Sequence, residues 1–245
     1  MIMDTDAWPV PVAGALLGLV AGSFLSTLAI RWPAGRSVAR GRSACDGCGA
    51  PIAAWRLVPL ASFVAQRGRA GCCGGTIDWR HPAMEVLCAA IGAVALILAP
   101  GWPGAAGALF GWGLAVLALL DLDHFWLPDR LTLPLGALGL AIGPALAIDR
   151  LIGAAAGYAA LALLAAAYRR ARGRIGLGRG DAKLLGAIGA WLGWAALPFV
   201  LLAACALGIL WAILARKGAQ DRLPLGTLLA VAGWGGWIFI AATAV

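Results

Sequence analysis

The chain has 245 residues, 62% of them hydrophobic and only 12% charged, with a formal net charge of +8. That balance excludes an ordinary soluble domain of this length. The basic residues sit between apolar runs and are not interleaved with aromatics, so a lipid bilayer, and no nucleic acid, is the expected partner of this surface.

Taken in chain order, apolar runs of near bilayer length recur, and in lipid such runs become helices because every backbone polar group must bond internally. Eight spans are expected, at 9–31, 83–100, 104–121, 131–148, 151–168, 183–196, 198–215 and 225–244. The fold class is therefore an all-α polytopic membrane protein, with about eight transmembrane helices and a small cytoplasmic Cys-containing loop domain. The first run is preceded by Asp4 and Asp6 and followed by no small-residue cleavage site, which marks a membrane span and not a signal peptide. Residues 184–214 read almost as one run, broken at "WLGWAALPF" where Gly193 and Pro198 signal a turn.

Charge tests that count. With the N-terminus outside, the inner segments are 32–82, 122–130, 169–183 and 216–224. Together with Arg31 at the edge of the first span, they hold eighteen of the nineteen Lys and Arg residues, and only Arg150 lies elsewhere. This is the positive-inside pattern. The expected division is a first span at 1–31, a Cys-rich loop domain at 32–82 and a multi-span membrane domain at 83–245.

The loop domain is small and holds four of the six cysteines. "CDGC" places Cys45 and Cys48 at knuckle spacing, and "GCCGG" adds Cys72 and Cys73. Two such pairs suit a tetrahedral Zn site that staples a segment too short for a large core. The second pair is adjacent, so both thiolates reaching one ion would distort an ordinary loop, and His81 is a substitute ligand. The competing reading is four reduced thiols. Cys88 and Cys205 lie in spans and read as packing residues.

Acids at membrane depth are costly and mark function. "LLDLDHFWLPDRLTLP" carries Asp121 at the end of the third span, then Asp123 and Asp129 in the turn, and "GLGRGDAKLL" carries Asp181 behind Gly176, Gly178 and Gly180, with Lys183 following. Asp181 at a helix start also reads as a simple cap. Asp121 follows an unbroken apolar run and is the deepest of its group. Two carboxylates that approach each other share one proton, so one serves as base toward water and the other as acid toward a carbonyl. His81 and His124 form no H-E-x-x-H pair, and "GLGRGD" lacks dinucleotide-loop spacing. A proton-relay transporter and an inert scaffold are the alternatives.

With these residues in view, the chain resembles the type IV prepilin peptidases, bifunctional leader peptidase/N-methyltransferases among the G-x-G-D intramembrane aspartyl proteases. "GLVAGSFLSTLAIRWP" is similar to the family's first-span block, with Ser26 where Asn is usual. The cysteine loop leads to W-x-x-x-P-x-x-S at Trp55, Pro59 and Ser62. "CCGGTIDWRHPAMEVL" resembles C-G-x-x-I-x-x-R-Y-P-x-x-E, with His81 in place of Tyr and Arg80 and Glu85 able to pair. Ala70 stands where a third cysteine is expected. "LDLDHFWLPDRLTLP", "GRGDAKLLGAIGAWLGW" and "LPLGTLLAVAG" resemble the remaining blocks. The resemblance implies catalysis by Asp121 and Asp181, with Asp123 the fallback and Asp129, Gly178, Gly180 and Lys183 in support. It implies prepilin or type II secretion pseudopilin substrates in a bacterial inner membrane. It also implies Zn in the loop and S-adenosylmethionine as donor for N-methylation. A peptidase without the methyl transfer is the nearest alternative.

Overall fold

Each of the eight apolar runs becomes a helix, and a ninth, short helix forms in the loop domain. The computed structural model describes residues 8–38, 43–173, 176–216, 218 and 221–244. Asp4, Asp6 and Lys217 lie outside them. The chain divides into two compact units, Met1–Ala108 and Leu109–Val245.

In the first unit, α1 (Pro9–Arg31) opens on a proline, whose missing N–H costs nothing in the first turn. Short α2 (Ala61–Ala65) follows a 3₁₀ turn at Ala54–Leu57. Helix α3 (Arg80–Leu98) then packs along α1. Gly14, Gly18 and Gly22 recur every fourth residue on the face of α1 turned to α3. A Cβ on Gly14 would stand 2.5 Å from the Gly92 carbonyl oxygen, and one on Gly22 2.5 Å from that of Met84. The backbones therefore approach as closely as small residues allow, which is how helices adhere where lipid removes the hydrophobic drive.

Helix α4 (Trp102–His124) leads into the second unit, followed by α5 (Asp129–Ile142), α6 (Ala147–Arg172), α7 (Arg179–Leu192), α8 (Leu197–Leu214) and α9 (Leu225–Thr243). Here boundaries depart from expectation. The fourth run was expected to reach 148, but α5 stops at Ile142 because Gly143-Pro144 cannot continue a helix. The sixth run was expected to start at 183, but α7 starts at Arg179 and ends at Gly193, whose φ of 80° breaks it.

Among the described residues, six helices are long and apolar enough to cross a membrane, and α5 and α7 are not among them. At 14 residues each spans about 21 Å, against a hydrocarbon core of about 30 Å. Helix α7 compensates by enclosure: all twelve residues from Asp181 to Leu192 except Lys183 are buried. Gly153 and Gly157 of α6 meet Gly189 and Leu185 of α7 at backbone distance. Trp191 of α7 stacks on Phe110 at 4.9 Å and donates its indole N–H to the Leu135 carbonyl at 2.8 Å. The protein is an all-helical, multi-pass membrane protein.

Candidate active site

Asp121 closes the last turns of α4, and Asp181 sits in the first turn of α7. Both are buried, 5% and 8% exposed. Asp181 Oδ2 accepts the Gly178 N–H at 3.1 Å, so one oxygen caps its own helix. The other is not engaged in that cap. The two carboxylates lie near enough for their charges to repel. Asp181 thus caps α7 and lies beside a second buried acid.

Asp121 is held from a different element. Thr227, at the start of α9, directs its backbone N–H to Asp121 Oδ2 at 2.8 Å, with its hydroxyl 3.3 Å from the same oxygen and 2.9 Å from the Ala118 carbonyl. Glycines make the approach possible. A Cβ on Gly226 would stand 2.9 Å from Asp121 Cγ and 2.7 Å from Leu127 Cδ1, and one on Gly180 would stand 2.8 Å from Leu127 Cβ. Leu127, buried in the α4–α5 turn, therefore sits against both glycines.

The remaining acidic candidates go elsewhere. Asp129 receives Lys183 Nζ at 2.6 and 2.7 Å, tying the first turn of α5 to the second turn of α7. Asp123 is half-buried and Asp129 exposed. Gly178 is the N-cap of α7.

The first unit holds two further features. Cys45, Cys48, Cys72 and Cys73 bring all four sulfurs within 4.8 Å of one another. Cys48–Cys72 stand at 3.4 Å and Cys45–Cys73 at 3.9 Å. A zinc–sulfur bond of about 2.3 Å implies sulfur separations of roughly 3.8 Å in a tetrahedron, so the set fits a metal such as zinc. The adjacent pair was expected to strain its loop on binding one ion, and the turn geometry shows how both sulfurs reach the cluster. Gly49 N–H bonds Cys45 O at 2.8 Å, Gly74 N–H bonds Ala70 O at 2.8 Å, and β-bridges Ala44–Pro51 and Arg69–Thr76 flank the two turns. The second turn repeats the first, with Ala70 at the position of Cys45 and Cys73 at that of Cys48. Cys72 supplies the missing sulfur from inside the turn, and His81 is not part of the set. N–H groups of Cys48 and Gly47 lower the Cys45 thiol to about 7, while hydrogen bonds with Cys48 and Cys45 push Cys72 up to about 12.

Beside the cysteines lies a cavity of about 250 Å³, walled by Arg31, Asp46, Arg56, Asp78, His81 and Glu85 among others. Ser26 Oγ and His81 Nδ1 are 2.9 Å apart. The single Ser26 proton goes to the Ser23 carbonyl at 3.0 Å. His81 is therefore assigned Nδ1–H as donor, with Nε2 3.9 Å from Asp46 Oδ2. Arg80 pairs with Asp78 at 2.9 Å, and Glu85 accepts the Leu60 N–H at 2.8 Å instead of facing Arg80.

A profile of the bacterial peptidase A24 N-terminal domain matches residues 16–99, and one of the type IV leader peptidase family matches residues 108–213. A prepilin leader peptidase/N-methyltransferase of Aeromonas hydrophila is 45% identical over 79% of this chain and 70% of its own. The proteins of that name from Dickeya chrysanthemi and Neisseria gonorrhoeae are 40% and 34% identical, over 89% and 92% of this chain and 88% of each of theirs. The chain belongs to the type IV leader peptidase family. No solved structure matches it.

Seen as a type IV leader peptidase, the chain yields residues that sequence reasoning passed over. Thr227 and Gly226 lie within "LPLGTLLAVAG", and Leu127 within the α4–α5 turn, and nothing in the sequence marks them. A threonine inside an apolar run carries no signal of its own, and its contact with Asp121 spans 106 positions. Likewise Ser26 and His81, each noted as a departure from the family pattern, turn out to be hydrogen-bonded to each other.

Proposed function

We propose that Asp121 and Asp181 are the catalytic pair of an aspartic endopeptidase that removes the leader of prepilins or type II secretion pseudopilins and then methylates the new N-terminus. The observation that carries the reading is the buried carboxylate pair, presented from the ends of α4 and α7 in a leader-peptidase chain. Work would take place at the cytoplasmic face of a bacterial inner membrane, where the arginine-rich loops lie by the positive-inside rule.

The roles of the two acids differ because their donors differ. Thr227 N–H on Asp121 Oδ2 favours the charged form of that carboxylate, which takes a proton from the attacking water. Asp181 carries the shared proton and gives it to the scissile carbonyl oxygen. Water oxygen bonds the carbonyl carbon. The resulting diol returns one hydroxyl proton to Asp181 as it collapses, the C–N bond breaks, and the departing amine takes the proton that Asp121 had received. Lys183 and Asp129 hold α7 and α5 together around the pair and do not touch the substrate.

Methyl transfer belongs, in this proposal, to the first unit, with the loop at 32–82 and its flanking helices. Zinc in the Cys45, Cys48, Cys72 and Cys73 set would be a staple, since four thiolates leave no open coordination position. S-adenosylmethionine supplies an electrophilic methyl group when bound, and the new amine is its acceptor.

The test is cleavage of a model prepilin in membranes by wild type and by Asp121→Asn, Asp181→Asn and Asp123→Asn, each checked for folded expression. Loss in the first two with activity in the third supports the assignment. Cleavage by Asp121→Asn but not Asp123→Asn moves the first acid to Asp123. Normal cleavage by both original variants removes the aspartic mechanism. The mass of the processed product reports methylation in the same assay.

A further inference from the structure

One buried carboxyl and one half-buried guanidinium in the first unit have no ion-pair partner among the described residues. Glu85 is 5% exposed and lines the cavity. Its one hydrogen bond is from the Leu60 N–H, and among the described residues no cation stands within ion-pairing distance of it. Leu60 itself is held at φ 56° and ψ −49°, a costly conformation for a non-glycine residue. A strained turn is thus maintained where its N–H meets a buried carboxyl on the cavity wall. An enclosed carboxylate without a cation is costly, and a bound cation removes that cost. The nearby arginines do not supply one: Arg31 and Arg36 engage Asp46, and Arg80 engages Asp78.

Arg56, on the wall of the same cavity, has the converse problem. Its guanidinium rests over the Trp55 ring at 4.7 Å and makes no hydrogen bond or ion pair among the described residues, and its Nε is buried without an acceptor. One anion and one cation are therefore left incomplete in a single cavity. A ligand bearing both charges completes them. Phe63, Ile52 and Leu57 add apolar wall for a flat ring.

We propose that this cavity binds the sulfonium methyl donor, with Glu85 facing its sulfonium and Arg56 the carboxylate of its amino-acid end. The inference rests on the reading that this chain methylates. It adds which residues of this chain recognise the donor, and by which charge. The cleaved substrate's N-terminal ammonium is the other organic cation at hand, and the experiment separates the two.

The measurement is calorimetric titration of the full-length protein in detergent with S-adenosylmethionine, with S-adenosylhomocysteine, its neutral thioether counterpart, and with a processed pilin peptide bearing a free N-terminus. Leader cleavage is assayed alongside. Glu85→Gln is expected to weaken S-adenosylmethionine binding about tenfold or more, the size of one charge-assisted contact. Its effect on the thioether is expected to be much smaller. Arg56→Gln is expected to weaken both nucleosides alike, because both carry the carboxylate. Cleavage stays at the wild-type rate in each. Equal loss of both nucleosides in Glu85→Gln overturns the proposal, as does no loss. Loss of peptide binding with donor binding intact assigns the cation to the substrate and overturns it too. Should Glu85→Gln fail to cleave or fold, Glu85→Asp, which keeps the charge, and Arg56→Gln decide: donor binding unaffected by Arg56→Gln sinks the proposal. Wild type that methylates while Glu85→Gln does so equally well sinks this inference alone. Wild type that cleaves but neither binds the donor nor adds a methyl removes the methyl reading beneath it.

Discussion

Thr227 and Gly226 act on Asp121 in complementary ways, one by donating to it and one by leaving room for it. Thr227→Val keeps the backbone N–H and removes the hydroxyl. Loss of that 3.3 Å contact is worth at most about 1 kcal/mol, so kcat/KM for leader cleavage should fall up to roughly fivefold, with Thr227→Ser restoring it. Gly226→Ala places a methyl 2.9 Å from Asp121 Cγ and 2.7 Å from Leu127 Cδ1, so the carboxylate or the leucine packed beside it must shift. Displacing a reacting group by about 1 Å costs on the order of 100-fold, so Gly226→Ala should appear in membranes yet cleave at about a hundredth of the wild-type rate. Both assays use the same model prepilin. At this scale the acids were legible in the sequence, because a carboxylate at the end of an apolar run is conspicuous. Their supports were not, because a threonine or glycine in such a run is commonplace and its partner lies far along the chain.

Among the elements, the two cysteine turns and the α1–α3 pair are the most exposed to test. If the four thiols hold zinc, the purified protein carries about one equivalent by atomic emission, and Cys48→Ala loses it together with thermal stability. Binding must displace thiol protons, including one held up to about 12 on Cys72. Apparent metal affinity should therefore rise with pH, and fall as pH drops below about 7, where the Cys45 thiol regains its proton. Gly18→Leu tests the helix pair. Its side chain would collide with the Cys88 carbonyl and the Ala89 backbone, which cannot yield. The expected outcome is a lower thermal midpoint and loss of methylation, read by product mass. The number of apolar helices was legible from hydropathy, as was the first cysteine turn from its spacing. The second turn was hidden because Ala70 erases the cysteine pattern, while the turn itself persists through Gly74, at φ 69°. The ends of α5 and α7 were misplaced by up to six residues, because apolar sequence continues past the Gly-Pro and Gly breaks that stop the helices.

For the molecule as a whole, the eight-span reading with an outer N-terminus makes a topological prediction. Reporter tags in the segments around residues 36, 126, 176 and 218 should all be shielded from impermeant reagents in intact cells, and a tag beside Arg150 should be reached. A tag near residue 218 that reacts from outside would reverse the last two spans. The overall class was legible because lipid permits so few backbone arrangements. The grip on α7 was not, since it depends on glycines and one tryptophan whose partners are distant in sequence. That grip has a consequence for motion. A helix enclosed by α5, α6 and α9 exchanges its amide hydrogens only when its neighbours open as well. The amides of 184–192 should be the last in the second unit to take up deuterium, slower than those of the longer but lipid-facing α8. Asp181, anchored at the start of this slow segment, would then keep its position until the unit opens as a whole. On heating, cleavage would persist nearly unchanged and then vanish together with that protection, in one step.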